Sequence, residues 1–294
     1  MTGKALAATL VLCGLGVAAC GGTAAGADLA RTRGPVPPAA GTAAAPAADA
    51  PARPAAGAAS DPTPSPAAGQ SGQSDKPLSG KVVVIDPGHN GQNYRHPAEI
   101  NKQVNVLTQS KACDTTGTAT DNGYSEAAFT WDVSQRLAKI LKSRGATVKL
   151  TRDSNSGVGP CITQRAAIGN RAKADAAISV HADGAGPANH GFHVIMPEKI
   201  GGPVDPVVKA SRKLGLDVRN AFRRGTGLPY STYIGKDALD YRNDLGGLNL
   251  STVPKVFIES GNMRNSAEAA KFQQPAFRQR IALALANGLQ QYLK

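Results

Sequence analysis

Several things are scarce in this chain, and each scarcity narrows what it can be. Aromatic residues make up 4% of the 294 positions, and the one tryptophan, Trp131, reads as a core residue rather than a platform for sugars. The longest apolar stretch, Ala5 to Ala19, is shorter than the roughly 20 residues that a membrane-spanning helix needs. No nucleic-acid-binding motif appears, and no segment resembles a wall-binding repeat. There are four cysteines, none in the Cys-x-x-Cys spacing of a zinc knuckle or redox motif. From Gly22 to Gly80 large apolar residues are almost missing, so this stretch cannot build a core.

What is present divides the chain into three parts. Lys4 followed by the apolar run to Ala19 has the form of an export signal. Val17-Ala18-Ala19-Cys20-Gly21 then resembles a bacterial lipobox, in which Cys20 is lipidated and begins the mature chain. Cleavage after Ala25-Gly26-Ala27, releasing a soluble protein, is the alternative. Residues 20–79 alternate Ala and Pro with Gly and Ser, and read as a disordered tether. As a flexible coil, close to sixty residues reach roughly 40–45 Å, and proline extends that. Residues 80–294 are expected to fold as one domain.

In an exported protein Cys113 and Cys161 form a plausible structural disulfide, because the compartment permits it. Net charge is +12, and residues 1–76 hold only 5 of the 33 basic and 4 of the 21 acidic residues, so the folded part keeps a surplus of 11. Such a domain is drawn to anionic wall polymers or lipid headgroups, or uses its charge for solubility.

The folded part alternates strand and helix signals. Short apolar runs at Val82–Ile85, Ala176–Val180 and Lys255–Ile258 read as strands buried on both faces. Further strands are expected at Thr147–Thr151 and Gly191–Met196. Helical spacing covers Glu126–Ser143, with Ser125 as N-cap, then Thr163–Ala174, Val207–Phe222 and Ala276–Leu293. The long stretch Asn90–Ser125 reads as a polar loop. This alternation implies an α/β fold, a largely parallel twisted sheet flanked by helices.

Ligands of open α/β sheets bind beyond the carboxyl ends of the strands. His89, His181 and Glu259 each stand at the end of one of the buried runs, and Glu126 opens the helix that follows the loop. Two His and one Glu are a familiar donor set for catalytic zinc, which keeps a fourth position open. Taken singly, each of these residues is more simply a structural histidine or a helix-start carboxylate; the joint placement carries the expectation. His96, His190 and His193 read as structural or solvated.

Asp86-Pro87-Gly88-His89, Glu126 opening a helix, Ser179-Val180-His181-Ala182 and Ile258-Glu259-Ser260-Gly261 follow one another in an order that resembles the zinc-dependent N-acetylmuramoyl-L-alanine amidases. Arg165, Asn170 and Pro254 match as well, and the resemblance covers about residues 81–294. Asn90-Gly91-Gln92-Asn93, Ala127 and Ala182-Asp183 depart from the family's usual residues.

The resemblance implies zinc held by His89, Glu126 and His181, with Glu259 as the catalytic carboxylate. It also implies cleavage of the amide between the lactyl group of muramic acid and L-alanine in peptidoglycan or a muropeptide. Asp86 is expected to orient His89 or to stabilise its turn, and Arg165 to pair with a carboxylate or to touch substrate. The expected enzyme is a monomer, exported and tethered through Cys20 to the outer face of the membrane, or free in the wall space, with no nucleic-acid partner. A zinc peptidase cutting within the stem peptide and a non-catalytic peptidoglycan-binding lipoprotein are the alternatives.

Overall fold

Apolar runs too short for helices become the central strands of one six-stranded sheet. The computed structural model describes residues 76–294; the expected signal, Cys20 and all but the last few residues of the tether lie outside the described residues. Strands β1 (Val82–Pro87), β4 (Thr147–Leu150), β5 (Ala176–Asp183), β6 (His193–Pro197), β7 (Leu239–Arg242) and β8 (Lys255–Asn262) pair in the order β4-β1-β5-β8-β6-β7. Every pairing is parallel except that of β6 with β8. The fold is α/β with a mainly parallel sheet. Among the described residues no helix is long and apolar enough to cross a membrane.

The two faces of the sheet differ. Val83, Ile85, Ile178, Val180, Val256 and Ile258 point to one face and join the main core. Three helices cover that face: α2 (Glu126–Ser143), α4 (Val208–Thr226) and α7 (Pro275–Leu293). Helix α2 forms because Phe129, Val133, Leu137 and Leu141 recur every four residues on one stripe, and all are buried. Ser125 caps it by accepting from the Ala128 amide, and the chain turns away at Gly145. Helices α4 and α7 lie so close that a Cβ on Gly288 would come within 2.7 Å of the Val218 Cα.

The tight packing starts before the expected domain boundary. Leu78 is fully buried in the main core, and its amide donates to the Arg144 carbonyl. The folded part therefore takes in residues just ahead of position 80.

The opposite face carries polar groups. Register places Asp86 beside Ser179, Ser179 beside Phe257, and His181 beside Glu259, all on this side. Helices α3 (Ile162–Arg171) and α5 (Gly246–Asn249) pack together over part of it. The expected loop at 90–125 is not featureless. It holds α1 (Pro97–Ile100) and a hairpin of β2 (Gln103–Asn105) and β3 (Ser110–Ala112). A further short helix, α6 (Ser266–Phe272), follows β8. Cys113 and Cys161 form a disulfide that ties the end of the hairpin to the N-terminus of α3.

Candidate metal centre and active site

His89 sits on the turn that leaves β1, with a positive φ of 58°, a conformation that non-glycine residues seldom adopt. Two buried arginines hold this turn by its carbonyls. Arg165 donates to the carbonyls of Pro87 and His89, and Arg152 donates to that of Pro87 and to Ala127 in the first turn of α2. Backbone strain at His89 is thus fixed by side chains arriving from β4's end and from α3.

The ring of His89 is oriented as well. Its Nδ1 lies 3.1 Å from the Thr115 carbonyl, 3.2 Å from the Thr115 hydroxyl and 3.4 Å from Asp114 Oδ1. With Nδ1 committed to the carbonyl, Nε2 faces Glu126 Oε2 3.1 Å away, and it is the nitrogen that a neutral ring would offer to a metal. Asp114 is itself held, by Arg165 Nη2 at 3.0 Å.

Glu126 opens α2 and reaches over the strand ends. Its carboxylate accepts from the amides of Thr118 and Ala182 and lies 3.0 Å from His181 Nδ1. His181 comes from β5, and Phe257 of β8 stacks on its ring at 5.3 Å between centroids. The two imidazoles meet edge to face at 5.0 Å. Donor atoms of His89, Glu126 and His181 all fall within 4.8 Å of one another, close enough for one ion to gather them.

Two glycines make room for this convergence. A Cβ on Gly88 would stand 2.3 Å from the His181 ring. Gly117, at φ +74°, would bring one within 2.7 Å of the His89 ring and 2.8 Å of Glu126 Oε2. A larger residue at either position would enter the space between the donors.

The charge of the site is uneven. Burial lowers the affinity of His89 for a proton, but Glu126 and Asp114 beside it outweigh burial and raise its pKa to about 10. Burial and the carboxylates of Glu126 and Asp183 push Glu259 well above its ordinary range. Its Oε2 is buried with no hydrogen-bond partner. A pocket this rich in carboxylates favours a cation, so the residues present fit a divalent ion such as zinc.

Asp86 and Arg165 stand behind the trio. Asp86 does not reach the His89 ring; it takes Lys255 Nζ at 2.9 Å, Arg165 Nη1 at 3.0 Å, and the hydroxyls of Thr151 and Ser179. Arg165 joins Asp86 to Asp114, and through Asp114 to His89. Asn170 ties α3 to the turn before β8 through the Leu250 carbonyl and the Thr252 amide.

Two adjoining cavities open over the trio. One, of about 310 Å³, includes Glu126, Glu259, Asp183 and Arg242 in its wall. The other, of about 250 Å³, is mostly apolar, with Ala112, Ile162, Leu245 and Phe257. His89 and His181 line both, so a substrate bond placed at the trio has a polar side and an apolar side.

Some contributors have no signal of their own in the sequence. Asp114 and Thr115 lie in a loop without periodicity, and only the neighbouring Cys113 marks the place. Lys255 begins an apolar strand, yet its side chain points to the polar face. His193, expected to be structural or solvated, is buried directly across from Glu259.

Fold and site together describe a class: a hydrolytic enzyme of α/β architecture whose donor set suits a catalytic divalent ion. Comparison with known proteins narrows this. An N-acetylmuramoyl-L-alanine amidase of Mycobacterium tuberculosis is 37% identical over 219 residues, covering 74% of this chain and 88% of that protein. The crystal structure of the amidase Ami1 from Mycobacterium smegmatis matches with a TM-score of 0.70 at 37% identity, over 74% of this chain and 98% of that one. Ami1 from Mycobacterium abscessus, in its apo form, matches at 0.68 and 39%, over 74% and 100%. The N-acetylmuramoyl-L-alanine amidase family model matches residues 83–291, and the chain belongs to that family. It is a peptidoglycan amidase, a hydrolase.

Proposed function

We propose that the enzyme is zinc-dependent, with His89 Nε2, His181 Nδ1 and the Glu126 carboxylate as ligands, and that Glu259 carries the proton. The observation that most supports this is the register. His181 and Glu259 are partners on adjacent parallel strands, so a ligand and a free carboxylate share one face at the strand ends. When bound, zinc supplies Lewis acidity that polarises an amide carbonyl and brings the acidity of water toward neutrality.

The protein's own groups do the rest. Glu126 is anchored by two backbone amides, those of Thr118 and Ala182, independently of the imidazoles. Phe257 and the edge of His89 hold the His181 ring in place. Glu259 accepts the proton of the attacking water and delivers it to the leaving amine nitrogen, as base and then acid. Its raised proton affinity suits the second step, and a cation at the trio would offset the neighbouring carboxylates enough for the first. The bond cut is the amide between the muramic acid lactyl group and L-alanine of the stem peptide.

Around this chemistry we place a signal over residues 1–19, lipidated Cys20, a tether that ends just ahead of Leu78, and a catalytic domain from there to Lys294. The enzyme then works as a monomer at the outer face of the membrane or in the wall space. The test is incubation of the purified protein with muropeptides, with and without a chelator, and mass spectrometry of the products. Release of an intact stem peptide, abolished by the chelator and restored by zinc, is expected. Cleavage within the stem peptide, or full activity in the chelator, contradicts the reading.

A further inference from the structure

One buried side chain beside Glu259 has no part in the chemistry described so far. Glu259 is flanked in register by His181 of β5 on one side and by His193 of β6 on the other. Partners across an antiparallel pair share a face, with Cβ atoms about 4.5–5.5 Å apart. His193 is 1% exposed, and its Nδ1 is buried without a hydrogen-bond partner. Glu259 Oε2, on the same face, is orphaned in the same way.

The fold alone gives no reason for a histidine here. A buried polar atom left unpaired is destabilising, a cost that an apolar ring of similar size would not incur. Its strand neighbours Phe192, Val194, Ile195 and Met196 are all apolar and buried. Burial lowers the imidazole's pKa to about 4, so the ring is neutral and brings a hydrogen bond rather than a charge. Tyr233 meets it edge-on at 6.0 Å, and the Tyr233 hydroxyl donates to Asp183 Oδ2. Tyr233 thus braces the ring, with its own hydroxyl fixed on Asp183, whose carboxylate acts on Glu259.

We propose that His193 is a positioning residue for Glu259: its ring N–H donates to the Glu259 carboxylate through one bridging water, which would satisfy both orphaned atoms, and aims the other oxygen at the reacting centre. This rests on the reading of Glu259 as proton carrier. A neutral imidazole suits the task because it can orient the carboxylate without competing for its proton.

The test is steady-state kinetics on muropeptides with the full protein, alongside metal content and Tm. The variants are His193→Phe, His193→Leu, His193→Asn, Glu259→Gln, and the double variant of Glu259→Gln with His193→Phe. Phe and Leu should lower kcat at least ~10-fold, the loss of a well-placed proton carrier being larger still. KM should stay within about twofold, with metal content unchanged and Tm equal to or above wild type. Asn, which can place an amide where Nδ1 stood, should recover part of the rate. In the Glu259→Gln background, His193→Phe should cost nothing further, because the two act as a unit.

Wild-type kcat in either apolar variant overturns the proposal. So does an Asn variant no better than Phe, or an undiminished effect of Phe in the Glu259→Gln background. Should Glu259→Gln itself turn over at the wild-type rate, it is the proton-carrier reading that fails. An inactive Glu259→Gln with a fully active His193→Phe refutes the role of His193 alone.

Discussion

Asp86 shows how a single residue can support metal-binding side chains that it does not touch. Burial pushes its carboxyl up, but Lys255 and Arg165 outweigh burial and hold it well below the usual carboxylate range. Removing one partner of a buried ion network leaves the others uncompensated, at about 3–5 kcal/mol. Asp86→Asn should therefore lower the unfolding free energy near neutral pH by an amount of that order, read by denaturant titration. The sign with pH follows from the lowered value. A carboxyl depressed in the folded state gives its full contribution above the unfolded pKa, about 3.9, and loses it as pH falls toward the folded one. The gap between wild type and Asp86→Asn should thus be constant from pH 7 to about 5 and close below pH 4; a gap that widens in acid contradicts the account. The gathering of His89, His181 and Glu259 at one edge of the sheet was legible in the sequence because each follows an apolar run that becomes a central strand. Asp114, Lys255 and His193 were not, since a loop has no period to read. A polar residue within an apolar strand, for its part, gives no sign of which face it joins.

At the scale of elements, the central strands and the long helices were legible because their apolar spacing is unbroken. Helix α2 runs over Glu126–Ser143 as expected, and β1, β5 and β8 extend the expected runs by two to four residues into the site. The hairpin of β2 and β3, the edge strand β7 and the helices α5 and α6 were not. Leu239-Asp240-Tyr241-Arg242 has too few apolar residues for a strand signal, and pairing with β6 supplies what the local sequence does not. The disulfide belongs to this scale too. It closes a loop of 48 residues between the hairpin and α3 and sits next to Asp114. Chain entropy puts its contribution at about 4 kcal/mol, an upper figure because the denatured chain retains structure. Replacing both Cys113 and Cys161 with serine should lower the denaturation midpoint accordingly, and two free thiols titrating in the oxidised wild-type protein would contradict the bridge.

The whole molecule combines a covered apolar sheet face, an open polar one, and a long segment ahead of residue 76 whose reading rests on sequence alone. If Cys20 is the start of the mature chain, the intact mass of the native protein should include acyl groups there; a mature chain beginning at Asp28 would contradict the tether. The central claim, however, is the division of labour within the open face: three residues for the metal and a fourth for the proton. Losing one of three ligands leaves a poor site, so His181→Ala should lose zinc and activity together. Glu259→Gln keeps shape and hydrogen bonding but cannot take up the water's proton. Metal analysis beside muropeptide hydrolysis of these two variants tests the claim most directly. The account predicts near-stoichiometric zinc in Glu259→Gln with turnover reduced at least ~100-fold, and a Glu259→Gln enzyme that cleaves at the wild-type rate, or that has lost its zinc, would contradict it.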